Sequence, residues 1–313
     1  MRDGITLVTA PIPEFPEEPK KSHPVLLRRK TDLFAFIATQ ADRYAVTRLC
    51  ALYGVTPAGY YAWRRRPESA HTGQDRRLSG RIATLFAAHR GRYGSPRIYR
   101  ALRGEGWRVS RRRVERLMRA AGFRARVARV YRANPGLHRF YGQHPNRLPA
   151  GGARRPNAVW VGDITYLPLG RGWRFLAAVL DQRSRRAVAW RLGRRRDARL
   201  TRAVLDAAVR RRRPPRGLIF HSDRGSEYSA AAFRDRLVAL GIRQSSARRG
   251  PEDNAHMESF FHSLKAELVH GTRFATEAAL RREVARYIRY YNHRRLHSAL
   301  GYRSPVDYEA RAA

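Results

Sequence analysis

No disulfide can form within this chain, because Cys50 is the only cysteine in its 313 residues. The same scarcity excludes a cysteine-based zinc site. Acidic side chains are few, 25 against 65 lysines and arginines, which leaves a formal charge of +40. Self-repulsion on that scale calls for a polyanionic partner, and nucleic acid is the obvious one. The excess is almost all arginine, whose planar fork pairs with phosphate more closely than lysine does. No apolar run approaches a membrane span, and the N-terminal stretch has no signal-peptide core. The expectation is a cytoplasmic protein with no membrane partner. Nor does any apolar heptad persist long enough for a coiled coil.

What the chain does contain is organised around two stretches. Leu218, Ile219 and Phe220 form a short apolar run, which predicts a buried strand ending in His221, Ser222, Asp223 and a turn at Gly225. Downstream, Met257, Phe260, Phe261 and Leu264 give an apolar helical stripe that Asp253 or Asn254 can cap. Glu258 lies in the first turn, with Phe261, His262 and Lys265 following at the offsets of its face. A third acid, Asp163, interrupts a β-branched run and needs compensation there by hydrogen bonds or a cation. Three carboxylates from a strand middle, a strand end and a helix can converge on two hard cations, the arrangement that cuts and joins phosphodiesters.

The segments WVGDITYLP, HSDRGSEY, DNAHMESFFHSLKAEL and YYNHRRLHSALGYRSPVDYE resemble, in this order, the second-frame (OrfB-type) transposases of the IS3 insertion-sequence family. That resemblance covers the chain from about Asp32 to Glu309 and places it in the retroviral-integrase-like superfamily, whose site is an Asp, Asp, Glu triad. The second and third acids stand 35 positions apart, the family's spacing, and Lys265 matches its basic residue seven positions past the Glu. The resemblance implies an α/β ribonuclease-H-like integrase core, a mixed five-stranded sheet with helices, preceded by small all-helical modules. It implies two magnesium ions, with manganese able to substitute, on Asp163, Asp223 and Glu258, and Lys265 near phosphate. DNA, as element ends and as target, is the implied substrate, with a homo-oligomer on the DNA and an upstream-frame helix-turn-helix partner or fusion. The lone cysteine excludes the zinc module that retroviral integrases carry in front. Glu227 departs from the family, which has Gln in that place, and RQSSARRGPED departs from its loop. Two rival readings are a nuclease of the same fold that does not join, and an inactive DNA-binding remnant.

Along the chain, 1–30 is proline-rich (Pro11, Pro13, Pro16, Pro19, Pro24) and reads as a disordered leader. A helix-turn-helix module is expected over 31–68, with Val46, Leu49 and Leu52 on one face, Gly54 ending that helix, and Thr56 and Pro57 opening the next. A second, basic module is expected over 76–123, where Ser95 and Pro96 open one helix and Ser110 caps another. Val114, Leu117 and Met118 face inward, while Arg111, Arg112, Arg113, Arg116 and Arg119 fan outward without interleaved acids, as DNA-contacting residues. A linker over 124–155 leads to the catalytic core at 156–275. Its order is three strands, a helix, a strand, a helix, a short strand and the Glu258 helix. Asp181 reads as a turn residue or arginine partner, and His221 as a buried structural histidine. A C-terminal helix and tail fill 276–313, where Arg294 and Arg295, interleaved with aromatics, are candidates for DNA contact.

Overall fold

A computed structural model of the protein describes residues 30–66, 69–126, 145–247 and 254–312. Asp253, most of the expected leader and much of the expected linker lie outside the described residues.

Contacts divide the chain into two units, at Gln74 and Asp75. The first holds α1 (Lys30–Gln40), α2 (Val46–Leu52) and α3 (Pro57–Arg65) around buried Ile37, Leu49, Cys50 and Tyr60. The Thr56 hydroxyl accepts from Gly59 N at 3.1 Å and so caps α3, with Pro57 in the first helical position. One expectation fails here: Leu52 is half exposed, and Cys50 takes the inward place beside Leu49.

The second unit begins within α4 (Ala70–Ala88) and continues through α5 (Ser95–Gly104) and α6 (Arg111–Ala120). Leu78, Ile82, Ile98, Leu102, Val114 and Met118 close a small core between these three helices. Ser110 caps α6 by accepting from Arg113 N at 3.2 Å.

The sheet follows, with β1 (Val159–Leu169), β2 (Gly172–Asp181), β3 (Ala187–Gly193), β4 (Ile219–Ser222) and β5 (Arg243–Ser246). Its spatial order is β3-β2-β1-β4-β5. The first three strands are antiparallel neighbours, while β4 and β5 run parallel to β1 and to each other. Parallel neighbours need crossovers, supplied by α7 (Ala198–Arg212), and by α8 (Ser226–Ser229) with α9 (Ala231–Ala239). This is the ribonuclease-H-like sheet that the resemblance implied.

Alternation along β1 and β2 separates two cores. Val161, Leu167, Leu176, Ala178 and Leu180 face α10 (Ala255–Leu264) and α11 (Glu277–His293). Trp160, Ile164, Ala177 and Val179 face α7 and α9. Each large apolar side chain so buried stabilises the fold by roughly 1.5–3 kcal/mol. A π-helical turn, Lys265–Val269, continues α10, and a short 3-10 turn precedes α12 (Pro305–Ala312).

The basic module and the chain's end interlock. The Tyr93 hydroxyl donates to the Arg294 carbonyl and accepts from Leu296 N, both at 2.9 Å. Arg97 Nε donates to the Leu296 carbonyl at 3.0 Å, and the Arg92 guanidinium lies over the Tyr290 ring.

Candidate active site

The register between β1 and β4 builds the site. Gly162 pairs with Ser222 across the parallel ladder, so Asp163, the next residue within β1, stands beside Asp223, the first residue past β4. Gly162 is required by this packing: a Cβ there would come 2.4 Å from the Phe220 ring. Asp163 Oδ1 accepts from Ile164 N at 2.7 Å, and Asp223 Oδ1 accepts from Gly225 N at 3.1 Å, which fixes both carboxylates on the backbone. Burial first, and then the neighbouring Asp223 charge, push the Asp163 carboxyl up to about 8.

Arg196, in the connection from β3 to α7, is the local counter-charge. Its Nε donates to Glu227 Oε1 at 2.7 Å, and its Nη2 lies 3.9 Å from Asp223 Oδ2. Glu227 is 3% exposed: this acid does not face solvent but sits buried against Arg196, which also reaches towards Asp223. Gly225 makes room for it, since a Cβ there would meet Glu227 Oε1 at 2.7 Å. Burial lowers the affinity of Arg196 for its proton, but the bond to Glu227 and the two aspartate charges outweigh that and raise it.

Asn254 precedes α10 without capping it. Its side-chain amide donates instead to the Gly162 carbonyl at 3.4 Å, tying the start of that helix to the strand that carries Asp163. Met257, Phe260, Phe261 and Leu264 are buried as the stripe required. Glu258 is exposed in the first turn, and among the described residues no hydrogen bond or ion pair joins it to the aspartates. Nor do any three His, Cys, Asp or Glu side chains among them gather closely enough to hold one metal ion. Lys265 lies nearer: burial depresses its pKa, and the Asp163 charge acts on it in the opposite direction.

The other expected DNA contacts divide. Arg111 and Arg112 are exposed. Arg113 Nε and Arg116 Nη2 bond the two oxygens of Asp75 at 2.6 and 2.5 Å, and Arg119 pairs with Glu115 at 3.4 Å. The reading of an arginine fan without acids is corrected for these three. Arg294 is exposed. Arg295 is not: it is buried and bonds Glu267 at 2.8 Å and Ser263 Oγ at 2.9 Å. Breaking such a buried pair from one side costs about 3–5 kcal/mol, so Arg295 holds structure. Asp181 is a turn residue, accepting from Asn157 N, Arg183 N and Ser184 N. His221 is buried, with Nδ1 2.9 Å from Ser245 Oγ.

A family model described as an integrase core domain matches residues 153–251, another of that description matches 258–312, and an HTH-like domain model matches 74–131. The transposase for insertion sequence element IS904 of Lactococcus lactis is 37% identical over 248 residues, 78% of this chain and 98% of that protein. Transposase InsF for insertion sequence IS3A of Escherichia coli is 34% identical over 288 residues, 88% of this chain and 98% of that one. Among solved structures, the simian T-cell lymphotropic virus intasome in complex with PP2A regulatory subunit B56 gamma aligns over 73% of this chain and 74% of the matched chain, with 15% identity and a TM-score of 0.43. The catalytic core domain of BIV integrase aligns over 50% and 95%, with 18% identity and a TM-score of 0.39. The chain belongs to the IS3 family of insertion-sequence transposases and carries an integrase core behind an HTH-like domain.

Proposed function

We propose that the protein cuts DNA at the ends of its insertion sequence and joins the freed 3′ ends to new DNA, using Asp163, Asp223 and Glu258 with two magnesium ions. The observation that carries this is the apposition of Asp163, within β1, and Asp223, just past the end of the adjacent parallel strand β4. Their donor set suits a hard divalent cation: two carboxylates held by backbone N–H groups, with Arg196 as a nearby counter-charge. Glu258 would contribute from α10, whose start is tied to Gly162 through Asn254. Divalent ions bound there lower the cost of forming an attacking oxyanion and of releasing the 3′-oxygen.

The chemistry balances without a further co-reactant. In cleavage, a water oxygen bonds to phosphorus and the P–O3′ bond breaks, leaving a 3′-hydroxyl and a 5′-phosphate. In joining, that hydroxyl bonds to a target phosphorus and displaces another 3′-oxygen. Asp163 and Asp223 would hold the cations that meet the reacting phosphate, Lys265 adds positive charge beside it, and exposed Arg111, Arg112 and Arg294 grip the flanking backbone.

Joining two ends requires two sites. The protein acts as a homo-oligomer on DNA, within the bacterial nucleoid, and is completed by an upstream-frame helix-turn-helix partner or fusion, since its own sequence lacks a coiled coil.

The test is strand transfer with a labelled 3′-hydroxyl end. Asp163→Asn, Asp223→Asn and Glu258→Gln should each abolish cleavage and joining while DNA binding survives. Near-wild-type joining by any one of them removes that residue from the site. Cleavage by the wild type without any joined product would make it a nuclease instead.

A further inference from the structure

The β1–β2 hairpin, beside the strand edge that opens at Asp163, carries two large aromatic side chains that the packed fold does not use. β4 accompanies β1 only from Val159 to Gly162. From Asp163 to Leu169, therefore, β1 has a strand partner on the β2 side alone. Tyr166 on this edge and Trp173 beside it on β2 are 55% and 54% exposed. Their rings meet edge to face, with centroids 5.1 Å apart at 90°. Tyr166 pairs with Phe175 and Trp173 with Pro168, so the contact runs diagonally across the hairpin. An edge-to-face pair leaves ring surface open for a third flat group.

Lys265 joins this pair. Its Nζ lies 4.4 Å from the centroid of the Tyr166 ring. Past residue 30 it is the chain's only lysine, in a sequence that otherwise uses arginine for its permanent cations. A lysine offers a compact, mobile charge where an arginine would offer a flat plate competing for the ring. Arg171, exposed in the turn between β1 and β2, adds a second cation. The acid near this end of β2, Glu277, is held by Arg174 at 2.8 Å. Tyr166 stands three residues past Asp163, about 10 Å along β1 and on the opposite sheet face, where β4 no longer covers the edge. Exposed aromatic faces with cations beside them match the chemistry of single-stranded nucleic acid.

We propose that Tyr166 and Trp173 form a stacking seat for an unpaired nucleobase of the strand being cut or joined, with Lys265 on that nucleotide's phosphate. The inference rests on the strand-transfer reading above and deepens it: the substrate would be DNA opened at the reacting end. Stacking tolerates any base, because every base has a flat face. A seat of this kind would hold the strand end in place without reading its sequence.

The test uses the full chain in EDTA, so that no strand is cut, and two probes: a blunt duplex, and the same duplex with a short single-stranded 3′ tail containing 2-aminopurine. Wild type should bind the tailed duplex more tightly and quench the tail's fluorescence. Tyr166→Ala and Trp173→Ala should each weaken tail binding roughly fivefold to a hundredfold and leave blunt-duplex affinity unchanged. Tyr166→Phe and Trp173→Phe should restore it, whereas Leu at either position should not. The proposal is overturned if wild type does not distinguish the probes, if the Ala variants keep the tail preference, or if Leu serves as well as Phe. It is also overturned if the Ala variants change the sedimenting oligomer, because the aromatics would then pack against a second copy. Asp163→Asn, run in parallel, should keep the quench. Absence of any joined product from wild type in magnesium would sink the strand-transfer reading alone, and tail binding in EDTA would still decide the seat.

Discussion

Arg196 bonds the buried carboxylate of Glu227 at 2.7 Å while its other nitrogen stands 3.9 Å from Asp223. One guanidinium thus serves two acids, one buried and one in the proposed site. Arg196→Ala would leave Glu227 buried and unpaired. Because Arg196 is itself about half exposed, the expected loss falls below that for a fully buried pair, to about 2–3 kcal/mol. Adding Glu227→Gln should recover most of it, and urea unfolding of the two single variants and the double one measures the coupling. Glu227→Gln alone keeps an acceptor for Arg196 and removes one negative charge from the approach of phosphate. Its joining rate should equal or exceed wild type, and a clear loss with intact folding would give this acid a positive role.

The arginines of α6 should separate by function. Arg111 and Arg112 are exposed, so removing both should lower the salt dependence of duplex binding, by about 0.9 on the log–log slope for each phosphate no longer neutralised. Arg113 and Arg116 share Asp75, whose carboxyl they hold below its usual range, Arg116 foremost. Arg113→Ala should therefore lower the melting temperature and leave the slope nearly unchanged. Equal slopes for both sets of variants would show that α6 does not lie on DNA.

Acid should loosen the union of the basic module with the chain's end. His89 is held down to about 4, by burial first and then by Arg294, Arg92 and Arg97, with Glu267 opposing. His297 is held down to about 3 by burial, Arg295, Arg97 and Arg185. Both are neutral when folded, whereas the unfolded chain takes up protons near pH 6.5. Depressed values of this kind give stability that is fully present above about pH 6.5 and lost as pH falls towards 4. Denaturation midpoints should drop between pH 6.5 and 5, above the range where the carboxylates with lowered pKa titrate. His89→Gln should flatten part of that drop, and an unchanged profile would show that His89 is already protonated in the fold.

The isolated chain should bind DNA chiefly through phosphates, with strong salt dependence and little preference for its own element's ends. Fused to the upstream-frame product, it should pair the ends and transpose. Binding and excision on end-containing and scrambled DNA at matched salt compare the two. Selective pairing and full excision by the isolated chain would make its own helical modules sufficient.

Strands and caps are legible in the sequence because their causes are local. The run around Phe220, the alternation through Trp160 and Val161, and the hydroxyls of Thr56, Ser110 and Thr276 act on neighbours within a few positions. Asp163 and Asp223 stand out the same way, as acids where apolar strands should continue. Arg196 does not, because nothing nearby separates it from Arg194 and Arg195; its partner lies 31 positions on. Arg295 misleads because a run of cations and aromatics looks alike whether it lies on DNA or around a buried Glu267. Asn254 has the surroundings of a cap, and they carry no sign of its bond to a carbonyl 92 positions earlier. Tyr166 and Trp173 pass as ordinary strand residues, since exposure at an edge depends on where β4 stops.

The interlock of Tyr93 with Arg294 and Leu296 also bears on how the protein is made. Tyr93 meets a carbonyl 201 positions later, and His89, Arg92 and Arg97 find partners among Glu267, Tyr290 and Leu296. The ribosome releases the basic module long before it releases those partners. A chain that stops before Leu296 lacks these partners, so the union of the basic module with the C-terminal region forms only after α11 has been made.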